Sequence, residues 1–168
     1  DEVTSESSKE NLSPQFIESI RIAPFPKRGT DVDVILDLMI HDIDLIQSLL
    51  KSIPESVEAN GVSILTPTTD IANARLRFAN GCIVNLTASR GSDKAERKMR
   101  IFQQGAYHSL DFGTCQARRV KVDLSKPVSQ EMLQPEEIML DKADALNSEI
   151  AAFLNSVRSG EKPRVSAE

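Results

Sequence analysis

The spacing of apolar residues changes once along this chain of 168 residues, and the change separates two kinds of secondary structure. From about residue 31 to Lys51 the apolar positions favour a helix, with Thr30 as its N-terminal cap and Asp33 in its first turn. Beyond Pro54 the apolar residues recur at every second position, which predicts strands. The predicted strands span residues 55–65, 70–79, 82–89, 97–104, 106–112 and 115–123.

Two further elements flank this series of strands. Alternating residues at 14–26 predict a short strand, and helical spacing at 141–158 predicts a second helix that ends before Gly160. The order of helix, strands and helix is typical of an α+β fold, a mainly antiparallel open sheet with helices packed on one face. We expect residues 1–13, which are polar and acidic, to form a linker or disordered terminus, and residues 14–168 to form one domain.

The hairpin predicted around the turn "ANG" at residues 79–81 shows how the sheet divides its side chains. On both of its strands the apolar residues share one face and the polar residues share the other. Such a sheet packs one face on a core and leaves the other to solvent or to a partner. The polar face includes Arg75 and Arg77, and Cys82 begins the apolar face of the second strand.

The composition restricts the classes of protein to which this chain can belong. Its net charge is −5 and only 4% of its residues are aromatic, with no Trp, which argues against a nucleic-acid partner. No apolar run approaches the roughly 20 residues that cross a membrane. The two cysteines, Cys82 and Cys115, lack metal-binding spacing. We therefore expect a cytoplasmic protein with no membrane partner and no metal site.

The first helix carries the side chains that suggest chemistry. Nearly all of its positions are apolar, and we therefore expect it to be largely buried, with one narrow acidic and imidazole stripe. At 100° per residue, the polar residues that share an arc of roughly 80° are Asp33, Asp37, His41, Asp44 and Ser48. Asp42 lies about 140° from Asp37 and is predicted to have a structural partner elsewhere.

Two interpretations of this stripe remain open. Asp37 and His41 are four residues apart, so the carboxylate can orient the imidazole of a general base. Alternatively, the stripe is structural and forms ion pairs with the sheet. The arginines considered for such pairs are Arg75, Arg77 and Arg100. A metal site would need further histidines, and the other histidine, His108, falls in a predicted strand.

A second candidate region is rich in basic residues. The segment "SRGSDKAERKMR" at residues 89–100 surrounds a Gly-Ser turn, and its Arg90 and Lys94 can hold a substrate phosphate. Arg28, next to Gly29, can approach the same cleft. The alternative is a hairpin turn exposed to solvent, without a ligand.

Three separated motifs occur in order along the chain. The first is the D-x-x-x-H-D-x-D pattern from Asp37 to Asp44, followed by "ESVEANG". The second is "RFANGCIVNLTAS" and the third is "SGEKPRVSAE". Over residues 16–168 the chain thereby resembles the second domain of the Gfo/Idh/MocA family of NAD(P)-dependent oxidoreductases.

The resemblance implies a function for particular residues. His41 would act as general acid or base toward a sugar hydroxyl, and Asp37 would orient His41 or bind the substrate. The residues assigned to substrate binding are Arg28, Asp44, Arg90 and Lys94. The implied substrate is a sugar or nucleotide sugar, and the implied cofactor is NAD or NADP. Because family members associate through the sheet of this domain, a homo-oligomer is expected.

The resemblance covers only part of the family's pattern. The 168 residues contain no G-x-G-x-x-G turn, so no residue of this chain is assigned to the cofactor. The helix expected after "RVSAE" is missing as well. We therefore expect a fragment that lacks the N-terminal Rossmann domain of a longer enzyme and is inactive alone. The alternative is a stand-alone, non-catalytic binding or oligomerisation module.

Overall fold

The computed structural model describes residues 12–25, 31–127, 129–139 and 145–161. Its strands are β1 (Phe16–Pro24), β2 (Ser56–Val62), β3 (Ile71–Arg77), β4 (Ile83–Ser92), β5 (Glu96–Gln103), β6 (Ala106–Asp111), β7 (Gln116–Lys121) and β8 (Glu136–Met139). Its helical elements are a π-helical turn (Ile35–Met39) that continues into α1 (Ile40–Leu50), a 3₁₀ turn (Gln130–Leu133) and α2 (Ala145–Ser159).

The eight strands form one open sheet in the order β2-β3-β4-β1-β5-β6-β7-β8. Strand β1 pairs in parallel with β4, and every other pairing is antiparallel. The predicted α+β class with a mainly antiparallel open sheet is therefore confirmed. The short strand β8, which pairs with β7, was not predicted, because Pro135 and two glutamates interrupt any alternation there.

The predicted hairpin and its two faces are confirmed. Strands β3 and β4 pair around a turn in which Gly81 adopts a φ of 83°, a conformation that favours glycine. The face that packs on the core, called here the core face, includes Ile17, Leu76, Leu86 and Met99. Cys82 lies in this core as predicted. Burial raises the pKa of its thiol to about 11.

The expectation of a largely buried first helix is wrong. Among residues 34–50 only Val34, Met39, Asp42 and Ile46 are buried. Leu36 is 61% exposed, and Ile40 is also exposed. One side of the helix packs on the core through buried residues such as Ile46 and half-buried leucines such as Leu45, and no other described residue covers its outer side. The polar stripe therefore meets solvent.

Asp42 is the one buried carboxylate of this helix. The prediction that it has a structural partner is confirmed, and the structure identifies that partner as Arg21. The guanidinium Nε and Nη2 of Arg21 donate to the two carboxylate oxygens of Asp42 at 2.8 and 2.9 Å. This bidentate ion pair attaches α1 to the core face of β1.

The arginines considered as partners of the stripe point elsewhere. By strand alternation Arg75, Arg77 and Arg100 project from the face opposite the helix, called here the open face. Arg100 pairs there with Glu18 at 2.8 Å. The proposed ion pairs with the stripe are therefore wrong.

A second buried ion pair joins β4 to the loop before β3. The Arg90 Nε donates to Asp70 Oδ1 at 2.8 Å, and both side chains are fully buried. The other donors of the guanidinium bind Thr66 Oγ1, Thr68 Oγ1 and the carbonyl of Val32. These groups are called the Arg90 cluster below. The cluster binds the backbone just ahead of the π turn to one end of the sheet.

The carboxylate of Asp70 organises the loop around it. Burial by itself raises the pKa of this carboxyl. The backbone N–H groups of Leu65, Thr66 and Ile64 and the Thr66 hydroxyl outweigh burial and hold the pKa well below its usual range. Asp70 is therefore a charged group throughout the neutral range.

The second predicted helix is confirmed as α2. Gly160 follows its last turn with a φ of 71°, and its N–H donates to the Ser156 carbonyl at 2.9 Å, which is a typical helix end. Among the helices of the described ranges, none combines the length and the apolar character needed to cross a bilayer.

We predict that Asp42→Ala destabilises the fold by about 3–5 kcal/mol, because it leaves the largely buried guanidinium of Arg21 without its carboxylate. Chemical denaturation monitored by circular dichroism measures this free energy of unfolding. As a control, Glu18→Ala removes the half-exposed partner of Arg100 and should cost less than about 1 kcal/mol. Equal losses for the two variants would contradict the prediction.

We also predict that acid weakens the fold through Asp70. The unfolded chain takes up a proton on this carboxyl near pH 4, whereas the folded chain resists protonation to lower pH. The stability that Asp70 contributes is therefore complete above about pH 4 and falls as the pH drops toward the folded pKa. Urea unfolding between pH 7 and pH 2 measures the free energy of unfolding, which should fall more steeply with decreasing pH in the wild type than in Asp70→Asn. Identical slopes would refute this.

Candidate functional site

The three polar residues proposed for chemistry lie on the exposed side of one helical segment. Asp37 belongs to the π turn, while His41 and Asp44 lie in the first turns of α1. All three side chains are exposed to solvent. The structure thus places them where a substrate can reach them.

Asp33 begins the helical segment. Its Oδ1 accepts the backbone N–H groups of Ile35 and Leu36 at 3.0 and 2.9 Å. A side-chain carboxylate that binds these first N–H groups is a typical N-terminal cap. The prediction that Asp33 is a first-turn acid behind the cap is therefore corrected, because Asp33 is itself the cap. Thr30, the predicted cap, lies outside the described residues.

The π turn changes the predicted geometry of the stripe. Its backbone bonds join residues five apart, as in the bond from the Ile40 N–H to the Ile35 carbonyl, so the turn is wider than an α-helical turn. The spacing of 100° per residue therefore does not hold through Asp37. No hydrogen bond joins the Asp37 carboxylate to the His41 imidazole within the described segment. Single π turns are frequent at functional sites, where they reorient side chains.

Arg90 and Lys94, two of the basic residues expected to bind phosphate, do not come together. Arg90 is fully buried in the Arg90 cluster, so the prediction that its guanidinium holds a substrate is replaced by a structural role. Lys94 is exposed in the turn between β4 and β5. Because Arg90 binds the Val32 carbonyl, this turn lies at the same end of the sheet as the start of the helix. Arg28 lies outside the described residues.

Sequence reasoning missed the partners of Arg90. Strand alternation already placed Arg90 on the same face as Val84, Leu86 and Ala88, which are all buried. This alternation was the signal that Arg90 points into the core. The same alternation placed Asp70, the first residue of the predicted strand at 70–79, on the face of Ala72, Ala74 and Leu76, which are buried as well.

The described residues contain no group of three or more His, Cys, Asp or Glu side chains arranged to hold a metal ion. Nor do they fit a dinucleotide at the start of the first helix. The Asp33 carboxylate already occupies the N–H groups that would bind a pyrophosphate there, and its negative charge repels one.

The open face carries a row of apolar side chains across neighbouring strands. Phe16 on β1 lies opposite Phe102 on β5, and Phe102 lies opposite Tyr107 on β6. The ring centroids are 5.8 Å apart in the first pair and 4.9 Å in the second. Beside this row is a groove of about 620 Å³ that crosses β5, β6 and β7. Its charged lining residues are Lys98, Arg100, Asp111 and Arg118.

Comparison with known proteins gives this arrangement a context. The chain is 39% identical over 145 residues to UDP-N-acetylglucosamine 3-dehydrogenase of Acidithiobacillus ferrooxidans, and the match covers 86% of this chain and 46% of that protein. A solved structure of the same enzyme superposes with a TM-score of 0.84 at 36% identity, covering 96% of this chain and 51% of that one.

A more distant structure shares the fold. The oxidoreductase domain protein of Kribbella flavida superposes with a TM-score of 0.77 at 11% identity, over 95% of this chain and 53% of that one. This chain therefore spans about half the length of the relatives that it matches.

The sequence model of the GFO/IDH/MocA C-terminal domain matches residues 23–106, which include the π turn, α1 and the hairpin of β3 and β4. This stretch is half of the chain. The motifs, the eight-stranded sheet and these comparisons agree. The chain therefore belongs to the GFO/IDH/MocA family and carries its C-terminal domain.

Proposed function

We propose that this chain is the substrate-binding and catalytic C-terminal domain, within residues 14–168, of an NAD(P)-dependent sugar or nucleotide-sugar dehydrogenase. The observation that carries the proposal is the 39% identity over 86% of the chain to UDP-N-acetylglucosamine 3-dehydrogenase. A stand-alone binding module is not favoured, because both relatives carry the matched domain within a chain about twice as long.

His41 is proposed to move the proton. As a sugar hydroxyl becomes a carbonyl, its oxygen loses a proton to the imidazole, and the reverse reaction returns it. The solvent exposure of His41 supports this role, because the imidazole can both contact a substrate and exchange its proton with water.

Asp37 is proposed to act on the same substrate from the π turn. It either contacts a sugar hydroxyl or orients the imidazole once the substrate has bound, since hydrogen bonds among catalytic groups often form only in the complex. Asp44 and Lys94, which are both exposed, are proposed as further substrate contacts, with Arg28.

The nicotinamide cofactor, NAD or NADP, is proposed to bind mainly to the N-terminal domain of the longer protein, outside these 168 residues. The capped start of the helical segment argues against a pyrophosphate there, and no glycine-rich turn between a strand and a helix occurs in the sequence. The domain would thus supply the substrate side of the reaction and depend on another domain for the hydride acceptor.

The open face is proposed to pair with the open face of a second copy. Its aromatic row offers apolar area, and both acidic and basic side chains lie beside it, as in the pair of Glu18 with Arg100. A surface that carries both charges can match itself when two copies meet about a two-fold axis. The expected partner is therefore this chain itself.

We predict that His41→Ala and Asp37→Ala each lower kcat of the full-length protein on a UDP-sugar with NAD or NADP. The loss of general acid–base catalysis at His41 should reduce kcat by about 10²- to 10⁴-fold. Steady-state absorbance of the reduced nicotinamide measures the rate. Gln47→Ala on the same helix is the control and should retain wild-type turnover. Full activity of His41→Ala would refute the assignment.

We predict that Phe102→Glu separates the copies. The new charge falls in the centre of the aromatic row, where a paired surface would bury it without a partner. Sedimentation velocity should show a smaller species than the wild type. Ile53→Glu, at an exposed apolar position after α1, is the control and should leave the assembly unchanged. A monomeric wild type, or an unchanged assembly in Phe102→Glu, would contradict the proposal.

A further inference from the structure

We infer that Arg90 is a positioning residue, whose buried cluster sets the place of the segment that carries Asp37 and His41. The chemical role of that segment rests on the function proposed above. The anchoring itself rests on contacts in the structure.

The guanidinium of Arg90 is held on every side. Its Nε donates to Asp70 at 2.8 Å, and its Nη2 donates to Thr66 and Thr68 at 2.9 and 2.6 Å. Its Nη1 donates to the Val32 carbonyl at 2.6 Å. With four partners in different directions, the planar group has one orientation, so the position of Val32 relative to β4 is fixed.

Asp70 completes the anchor from the other side. Its Oδ2 accepts the N–H groups of Ile64, Leu65 and Thr66 at 2.7, 2.6 and 2.9 Å. Its Oδ1 accepts the Thr66 hydroxyl as well as Arg90. The loop before β3 therefore closes around the carboxylate and forms a rigid support.

The anchor continues residue by residue into the site. The Val34 N–H donates to the Thr69 carbonyl at 2.9 Å. The Asp33 side chain then caps the helical segment, and the Asp37 N–H donates to the Asp33 carbonyl at 3.0 Å. The chain from Val32 to Asp37 thus has a fixed partner at nearly every step.

A second anchor stands on the other side of the proposed catalytic pair. Asp42, the residue after His41, binds Arg21 on β1. Residues 37–41 are therefore held between two buried arginine–aspartate pairs, one ahead of the π turn and one within α1. Buried ion pairs are weak sources of stability, and fixing a geometry is a better account of two such pairs at one exposed segment.

The experiment is Arg90→Lys in the full-length protein. Lysine keeps the charge but has no planar fork, so it cannot bind Asp70, Val32 and the threonines together. We expect kcat to fall on the order of 10²-fold, the effect of a displacement of about 1 Å, with a smaller change in KM. Hydrogen exchange of the backbone amides of residues 31–37 should become at least about tenfold faster.

The control must lose stability without loosening this segment. Ile101→Ala removes buried apolar volume from β5 and shares no hydrogen bond with the Arg90 cluster. At matched loss of stability it should retain wild-type kcat and wild-type exchange at residues 31–37. If Ile101→Ala lowers kcat as much as Arg90→Lys, or if Arg90→Lys keeps the wild-type kcat, the inference is overturned.

Two outcomes separate this inference from the proposed function. If His41→Ala keeps full turnover, the proposed function fails, and the exchange of residues 31–37 in Arg90→Lys still decides whether Arg90 anchors the segment. If Arg90→Lys does not fold, Thr68→Val removes one partner of the same guanidinium and should lower kcat several-fold with faster exchange at residues 31–37. Unchanged kcat and exchange in Thr68→Val would overturn the inference.

Discussion

A guanidinium cannot be buried alone, and this constraint at Arg90 shapes one end of the domain. To keep its charge inside the protein, Arg90 needs a carboxylate and several further acceptors within reach. Asp70 supplies the charge, while the loop before β3 and the carbonyl of Val32 supply the rest. Three separate stretches of chain must therefore meet at the end of β4. The proposed site begins at this meeting point, because the helix that carries Asp37 starts directly after it.

The two faces of the sheet carry different features. The core face bears the helix through buried contacts and through the pair of Arg21 with Asp42. The open face bears the aromatic row that includes Phe102 and the charged groove beside it. The proposed substrate contacts on the helix and the proposed contact between copies on the open face therefore use different surfaces. This division follows from strand alternation, which sends neighbouring residues to opposite sides.

The prediction of the first helix shows where pattern reasoning went wrong. Its apolar positions are so dense that burial was the natural expectation, yet Leu36 and Ile40 are exposed. A high density of apolar residues shows that a segment has much apolar surface. It does not show whether another part of the protein covers that surface. The angular calculation had a second weakness, since it assumed one helical period through Asp37. The π turn breaks that period. Because this turn is as rich in apolar residues as the α-helix that follows it, the composition does not reveal where the period changes.

Local patterns in the sequence determined the class of the fold, the hairpin around Gly81 and the burial of Cys82. Each depends on neighbours within a few residues, which alternation and turn chemistry describe directly. The tertiary structure alone decided which residues meet Arg90 and that β1 lies in the middle of the sheet. Those contacts join positions 20 or more residues apart, and no local period records which distant partner a buried charge will find.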